Sequence, residues 1–169
     1  MKELLSQARK AYPAATHYCY AWRLGAEGLR TRSSDDGEPS GTAGKPILGQ
    51  IEREGITNVM CVVVRYFGGS LLGTGGLVNA YRSAAAGALL AAGTREVFVQ
   101  RTFTLECDEA DIGAVMRTLR QIEAEILATG YHARHTLRFR IRSSREKAMR
   151  EKLKELFRVI LQPADPPPE

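Results

Sequence analysis

The chain lacks any apolar run close to the roughly 20 residues that a membrane-spanning helix requires, which excludes an integral helical membrane protein. It has only three cysteines, and their odd number and wide spacing argue against a disulfide scaffold. Cys19, Cys61 and Cys107 are instead predicted to be reduced core thiols. Residues 1–10 are charged and amphipathic, unlike the apolar centre of a signal peptide. We therefore expect a cytoplasmic protein with no membrane partner.

Two familiar nucleotide-binding motifs are also absent, although glycines are concentrated in one stretch. No lysine follows them as a P-loop requires, and their spacing does not fit a dinucleotide fingerprint. They lie between an apolar segment, 58–64, and an alanine-rich segment, 77–92, and are Gly68, Gly69, Gly73, Gly75 and Gly76. The apolar segment is typical of a strand buried on both faces, and the alanines predict a helix. The glycines could bind an anion at the helix N-terminus or form tight turns that let the helix pack closely, and the two interpretations are compatible.

A second polar stretch, 33–48, carries an acidic cluster together with glycines and prolines that prevent regular structure. Its candidate site residues, which we group with Arg65, are Asp35, Asp36, Glu38, Ser40, Thr42 and Lys45. The carboxylates could bond their own backbone, form a polar binding site or hold a hard cation such as Mg²⁺. Their spacing does not match an EF-hand, so no metal or cofactor is assigned. A helix is predicted to begin at Thr42 or Gly44, with Pro46 in its first turn, and to run to about Glu54.

The start of the chain predicts a helix over 2–11 and then a strand over 15–24. Alternation places His17 and Cys19 on the same face of this strand. A histidine and a cysteine so placed could ligate zinc, but no Cys-x-x-Cys motif or second histidine lies nearby. Packing in the core is therefore favoured for both side chains.

Three strings in this half resemble the YigZ/IMPACT family: H-Y-C-Y-A-W from His17, D-D-G-E-P-S-G-T-A-G-K-P-I-L from Asp35, and V-V-V-R-Y-F-G-G-S-L-L-G-T-G-G-L-V from Val62. The resemblance covers roughly residues 1–95. It implies an α+β first domain like that of a small-subunit ribosomal protein and of elongation factor G, followed by a ferredoxin-like domain. It also implies a role in translation regulation. Eukaryotic relatives act by protein–protein competition, and nucleic-acid binding has been proposed for bacterial members.

Two departures from the family pattern carry expectations. Relatives usually have a further N-terminal segment before the opening helix, so this chain is expected to be truncated or to leave a sheet edge exposed. The bacterial motif usually has an arginine where Asn79 stands. If that arginine contacts an anion in relatives, one contact is lost here, and Arg82 one helical turn later is expected to replace it in part.

The second half predicts a separate ferredoxin-like domain, 97–162, after a short polar connector at 93–96. Its predicted elements are a strand at 98–107, a helix at 109–121, a hairpin at 124–131 and 136–142, a helix capped by Ser144 and running to about 157, and a short strand at 159–161. Residues 163–169 are predicted to be a disordered tail. The fold class is therefore α+β, with a first domain over 1–95.

One strand of this half carries alternating arginines. Arg138, Arg140 and Arg142 are predicted to form a ladder on the open face of the sheet. The net charge of +5 favours contact of such a face with RNA or an acidic protein. The first strand offers Gln100, Thr102 and Thr104 on that face, so specific base stacking is not predicted. A solvated basic face is the alternative interpretation.

Two classes of function remain. The first is a regulatory binding protein of translation that contacts RNA, the ribosome or a protein partner. The second is an enzyme or ligand-binding protein that acts on a phosphorylated or small anionic substrate between the acidic and glycine loops. Binding is favoured over catalysis because no nucleophile–base pair can be recognised. We predict that the two loops lie side by side around a concave pocket, with Asp36, Glu38 and Arg65 near one another.

Overall fold

The computed structural model describes residues 1–69, 72–156 and 158–164. The chain divides into two compact units, Met1–Arg95 and Glu96–Glu169, which we call the N-terminal and C-terminal units. The independent folding of domains 1–95 and 97–162 stays a prediction. No helix within the described ranges is both long and apolar enough to cross a membrane.

The N-terminal unit combines three helices with one antiparallel sheet. Its elements are α1 Lys2–Ala11, β1 His17–Leu24, β2 Arg30–Ser34, α2 Gly44–Arg53, β3 Val59–Arg65 and α3 Gly73–Ala92. The strands lie in the order β2-β1-β3. Helices α2 and α3 pack on one face, where Cys19, Ile47 and Ala85 belong to a single buried cluster. Helix α1 lies beside Tyr18 on the other face and has no buried residue.

Three sequence-based predictions are corrected in this unit. Strand β2 was not predicted, because it is a short polar edge strand stabilised by pairing with β1 rather than by apolar burial. Strand β3 is not buried on both faces: only Cys61 is buried, since α2 and α3 cover one face of the sheet. Helix α3 begins at Gly73, so Gly75 and Gly76 lie in its first turn and not in a loop.

The C-terminal unit is a four-stranded antiparallel sheet with two helices on one face. Its elements are β4 Gln100–Cys107, α4 Ile112–Gln121, β5 Glu125–Tyr131, β6 His135–Arg142, a 3₁₀ turn at Ser143–Arg145, α5 Glu146–Lys154 and β7 Ile160–Pro163. The strand order β5-β6-β4-β7 is that of a ferredoxin-like fold. Phe103, Phe139 and Met149 are among the residues of its buried core. The predicted α+β fold is confirmed.

Some boundaries in the C-terminal unit differ from the prediction. Ser144 does not cap the last helix, because it lies in the 3₁₀ turn, where no side-chain capping bond is made. Pro163 belongs to β7 and pairs opposite Phe103, so the predicted tail begins too early. Position 157 and the tail residues 165–169 lie outside the described residues.

Candidate functional site

The site in the N-terminal unit is built on two opposed residues of neighbouring strands. His17 at the start of β1 stands opposite Arg65 at the end of β3 in the antiparallel register. Opposed residues project from the same face of a sheet. Both side chains therefore lie at the end of the face that α2 and α3 cover, and Cys19 follows on that face within the core.

Glu38 of the acidic loop forms a buried ion pair with Arg65. Its side chain is 3% exposed, and its Oε1 accepts hydrogen bonds from Arg65 Nη1 at 2.6 Å and from the Tyr81 hydroxyl at 2.7 Å. Burial raises the pKa of Glu38, but the Arg65 guanidinium and the Tyr81 hydroxyl outweigh burial and hold this pKa below its usual range. Glu38 is therefore ionised at neutral pH.

The imidazole of His17 is oriented by the same loop. Its Nδ1 lies 2.9 Å from the backbone carbonyl oxygen of Asp36, and its Nε2 lies 3.8 Å from Glu38 Oε1. The Asp36 backbone has a left-handed φ of 41°, which aspartate tolerates better than most residues. The Asp36 carboxylate accepts the Tyr18 backbone N–H at 2.7 Å and lies 3.4 Å from Arg9 of α1. The loop is thus tied to both α1 and β1.

Asp35 holds the acidic loop against the start of α2. Its carboxylate accepts backbone N–H groups from Gly41 at 2.9 Å, Ala43 at 3.1 Å and Gly44 at 2.8 Å. Burial raises the pKa of Asp35, but these three donors outweigh it and lower the pKa below the ordinary 3.8. Gly44 is also required sterically, because a Cβ there would lie 2.7 Å from the backbone nitrogen of Ser34.

The ion pair of Glu38 and Arg65 borders a cavity of about 330 Å³, a volume at the lower end of the range for small-molecule sites. His17, Glu38 and Arg65 form its polar end. The remaining lining comes from the segment after β3 and from the start of α3, together with one proline: Pro39, Phe67, Leu72, Gly73, Thr74 and Leu77. The cavity therefore combines charged groups at one end with mainly apolar walls.

Two further polar groups complete the network behind Glu38. The Cys19 Sγ lies 2.9 Å from the Asp35 carbonyl oxygen and 3.3 Å from the Tyr81 hydroxyl oxygen. Burial raises the pKa of the Cys19 thiol to about 11, and it raises the pKa of Tyr81 as well. Both groups are protonated at neutral pH, and a thiol is a poor nucleophile until it ionises. The network is suited to hold a ligand rather than to attack one.

The structure brings together only some of the residues predicted to share a site. Glu38, Arg65 and Gly73 border the cavity. Asp36 contributes indirectly, because its backbone carbonyl oxygen accepts the Nδ1–H of His17. Asp35 and Thr42 act within the loop, where the Thr42 hydroxyl donates to the Pro39 carbonyl at 2.7 Å. Six residues lie outside the described lining: Ser40, Lys45, Gly68, Gly69, Gly75 and Gly76. Arg82 also lies outside it, on the exposed side of α3 beside Asn79.

Sequence reasoning assigned no site role to several residues of the cavity and its network: His17, Phe67, Leu72, Thr74, Leu77 and Tyr81. The position of His17 depends on the β1–β3 register, which the sequence does not reveal. A signal was present for the α3 residues, because Leu77 and Tyr81 are one helical turn apart and must share a face. Phe67 lies two residues beyond Arg65.

The C-terminal unit carries the arginine ladder on its open face, alternating with buried Leu137, Phe139 and Ile141. Arg138 is exposed. Arg140 donates two hydrogen bonds to Glu125 of β5 at 2.8 Å and 3.2 Å, which neutralises its charge locally. The Arg142 guanidinium lies 3.8 Å from the ring centroid of Phe98, an exposed aromatic residue just before β4.

Among the described residues, no three histidine, cysteine, aspartate or glutamate side chains come together as a metal site requires. Cys19, Cys61 and Cys107 are free and buried, as predicted.

Comparison with known proteins gives concordant matches. Residues 1–89 match the family model described as the Impact N-terminal domain. The chain is 37% identical over 163 residues to the IMPACT family member YigZ of Escherichia coli, covering 95% of this chain and 80% of the relative. It is 40% identical over 131 residues to an IMPACT family member of Haemophilus influenzae, covering 76% and 63% of the two chains. A crystal structure of a hypothetical protein superposes with a TM-score of 0.63 at 35% identity, covering 97% of this chain and 82% of that one.

Proposed function

Since the chain belongs to the IMPACT family, we propose that it is a binding protein that regulates translation in the cytoplasm, and that its N-terminal cavity holds an anionic group of its partner. The family model covers the segments that build this cavity, from His17 to Tyr81. Binding through this unit is therefore the family-level role that its geometry favours.

The observation that carries the proposal is the placement of Arg65 inside a mainly apolar cavity. Arg65 has five N–H donors, of which the contact with Glu38 uses one. Its side chain is 18% exposed, so its remaining donors can reach a ligand in the cavity. The alternative of an enzyme acting on a small anionic substrate has less support, because Cys19 and Tyr81 are both protonated at neutral pH.

Phe67→Asp is expected to remove most of the effect of this protein on translation. Phe67 lines the cavity, and its ring centroid lies 5.4 Å from the Arg65 guanidinium. A carboxylate at this position would compete for Arg65 and repel an anionic partner group. The measurement is reporter synthesis in a reconstituted bacterial translation reaction with added full-length protein, together with its sedimentation with purified ribosomes.

The neighbouring Tyr66→Asp is the matched control. Tyr66 is 54% exposed against 48% for Phe67, and it lies outside the described lining of the cavity. Both substitutions replace an exposed aromatic residue with the same charge, so only the one at the cavity should act. A wild-type protein that neither alters reporter synthesis nor sediments with ribosomes would refute the proposed function. Equal activity of the two variants would show that the cavity has no part in the proposed function.

A second candidate is direct RNA contact through the arginine ladder, favoured by the exposed Arg138 and by Phe98 beneath Arg142. We expect micromolar affinity for single-stranded RNA near physiological salt, as is typical of non-specific binding, and a steep loss of affinity with added salt. Arg138→Glu is expected to weaken binding and to lower the salt slope by about one. Fluorescence anisotropy with a labelled single-stranded RNA measures both.

Arg32→Glu is the control for this test, because it makes the same change in net charge at an exposed position of β2. If Arg32→Glu weakens RNA binding as much as Arg138→Glu does, overall charge and not the ladder is responsible. Affinity that does not change with salt would exclude the ladder as an RNA-binding face.

A further inference from the structure

The ionisable side chains of the described cavity lining allow its charge to be counted. Glu38 is ionised and paired with the permanently cationic Arg65, so these two charges cancel. His17 is the remaining titratable residue of that lining. The net charge of the polar end is therefore zero when His17 is neutral and +1 when His17 is protonated.

The hydrogen bond at Nδ1 decides which tautomer His17 adopts. The Asp36 carbonyl oxygen can only accept, so Nδ1 must carry the proton of that 2.9 Å bond. In neutral His17, Nε2 then has a lone pair and cannot donate to an anion. Nε2 can therefore donate a hydrogen bond to a neighbouring anion only after it has taken up a proton.

The groups that face His17 come from every element packed around it. Glu38 of the acidic loop lies 3.8 Å from Nε2, and Arg65 stands opposite on β3. The Asp36 carboxylate is occupied by the Tyr18 backbone N–H and lies near Arg9 of α1, at 3.4 Å. From α3, the Tyr81 hydroxyl donates to Glu38 and thus acts on His17 through that carboxylate.

The rest of the cavity favours a ligand with an apolar body. Phe67, Leu72 and Leu77 form walls next to the polar end. Gly73 and Thr74 in the first turn of α3 add the partial positive charge of a helix N-terminus. This helix charge is a fraction of one unit. Added to the +1 of the polar end with protonated His17, it can balance one negative charge of a ligand but not two.

We propose that the cavity binds an apolar carboxylate as its monoanion, between Arg65 and His17, and that binding places a proton on His17 Nε2. The inference rests on the proposed function in taking the cavity as the binding site. The carboxylate belongs either to a small organic acid or to the last residue of a partner chain, because both present the same chemistry to Arg65 and His17.

Isothermal titration calorimetry of the full chain distinguishes these sources. The probes are hexanoate, hexanamide, inorganic phosphate, a peptide ending in leucine and its C-terminal amide. Hexanoate or the acid peptide is expected to bind about tenfold more tightly near about pH 6 than near about pH 8, a range across which histidine changes charge. In buffers of different ionisation heat, the binding heat should reveal net proton uptake at the higher pH. Hexanamide and the peptide amide should not bind measurably.

His17→Gln is expected to abolish the pH dependence, whereas His135→Gln should retain it. His135 is a half-buried histidine of the C-terminal unit that bonds Glu109, so it matches His17 in type and exposure. Carboxylate binding without proton uptake, binding of the amides, phosphate binding as tight as hexanoate, or no binding at all would each overturn the inference. The binding heats of the wild-type protein test the inference even if a variant fails to fold. Proton-linked binding in a protein without effect on translation would sustain this inference while refuting the proposed function.

Discussion

Arg65→Ala is expected to lower the free energy of unfolding of the N-terminal unit by about 2–3 kcal/mol, because it leaves the carboxylate of Glu38 buried without its cation. Breaking a fully buried pair costs about 3–5 kcal/mol. The smaller figure applies here because Arg65 is 18% exposed and because Glu38 keeps the hydrogen bond from Tyr81. Denaturant unfolding followed by tryptophan fluorescence measures this unit, since the only tryptophan is Trp22 in β1.

Arg82→Ala is the control for this substitution. Arg82 is an exposed arginine of the same unit whose guanidinium bonds Asn79 at 3.3 Å, so its removal should change stability by less than about 0.5 kcal/mol. The triple substitution Arg65→Met, Glu38→Leu and Tyr81→Phe should recover much of the loss, because it replaces the buried ion pair by apolar residues and also removes the hydroxyl that donates to Glu38. Equal stability of Arg65→Ala and Arg82→Ala would show that Glu38 does not depend on Arg65.

The contact between Glu38 and Arg65 could be anticipated from the sequence. The acidic loop leads into α2, and the segment after Arg65 leads into α3, and both helices pack on the same sheet. Two loops that enter helices on one face of a three-stranded sheet have little room to lie apart. The sequence could not place His17 in the same site, because its role depends on the register that sets it opposite Arg65.

The glycine-rich segment was harder to interpret for a physical reason. Glycine permits both a loop and the first turn of a helix, so composition alone could not locate the start of α3. The helix begins at Gly73 despite the low helix propensity of Gly75 and Gly76, because Leu77 and Tyr81 are buried on the sheet. The predicted anion contact at Gly68 and Gly69 stays a prediction, while the described cavity lining instead includes Gly73.

The acidic loop shows how a binding hypothesis and a structural one can both hold within a few residues. Asp35 follows the structural interpretation, because both oxygens of its carboxylate accept hydrogen bonds from backbone N–H groups. Glu38 follows the functional one, since it faces the cavity. Sequence could not separate these roles, because neighbouring carboxylates look alike until the loop's turn assigns each a direction. That turn places the left-handed Gly37, with a φ of 89°, between Asp36 and Glu38.

Asp35→Asn is expected to destabilise the N-terminal unit by about 2 kcal/mol, because a buried donor left without an acceptor costs about 1–3 kcal/mol. One carboxylate oxygen of Asp35 accepts the Gly41 N–H, and the other accepts those of Ala43 and Gly44. An asparagine offers one oxygen and one NH₂ group, so one of these sets must face a donor. Unfolding in denaturant at neutral pH, followed by Trp22 fluorescence, measures the loss.

The same substitution should reduce the acid sensitivity of this unit. The folded pKa of Asp35 lies below its ordinary value of 3.8. Its carboxylate therefore stabilises the fold fully above that ordinary value, and the contribution disappears as the pH falls through the lower folded pKa. The lowered pKa of Glu38 makes the same contribution to acid sensitivity in both proteins. The difference in free energy of unfolding between wild type and Asp35→Asn therefore reports on Asp35 alone. This difference should become smaller as the pH is lowered from neutrality to below 3.8. The control Glu27→Gln, at an exposed position, should not differ from wild type by a comparable amount at any pH. A difference that stays constant through this range would mean that the three backbone donors do not depend on the charge of Asp35.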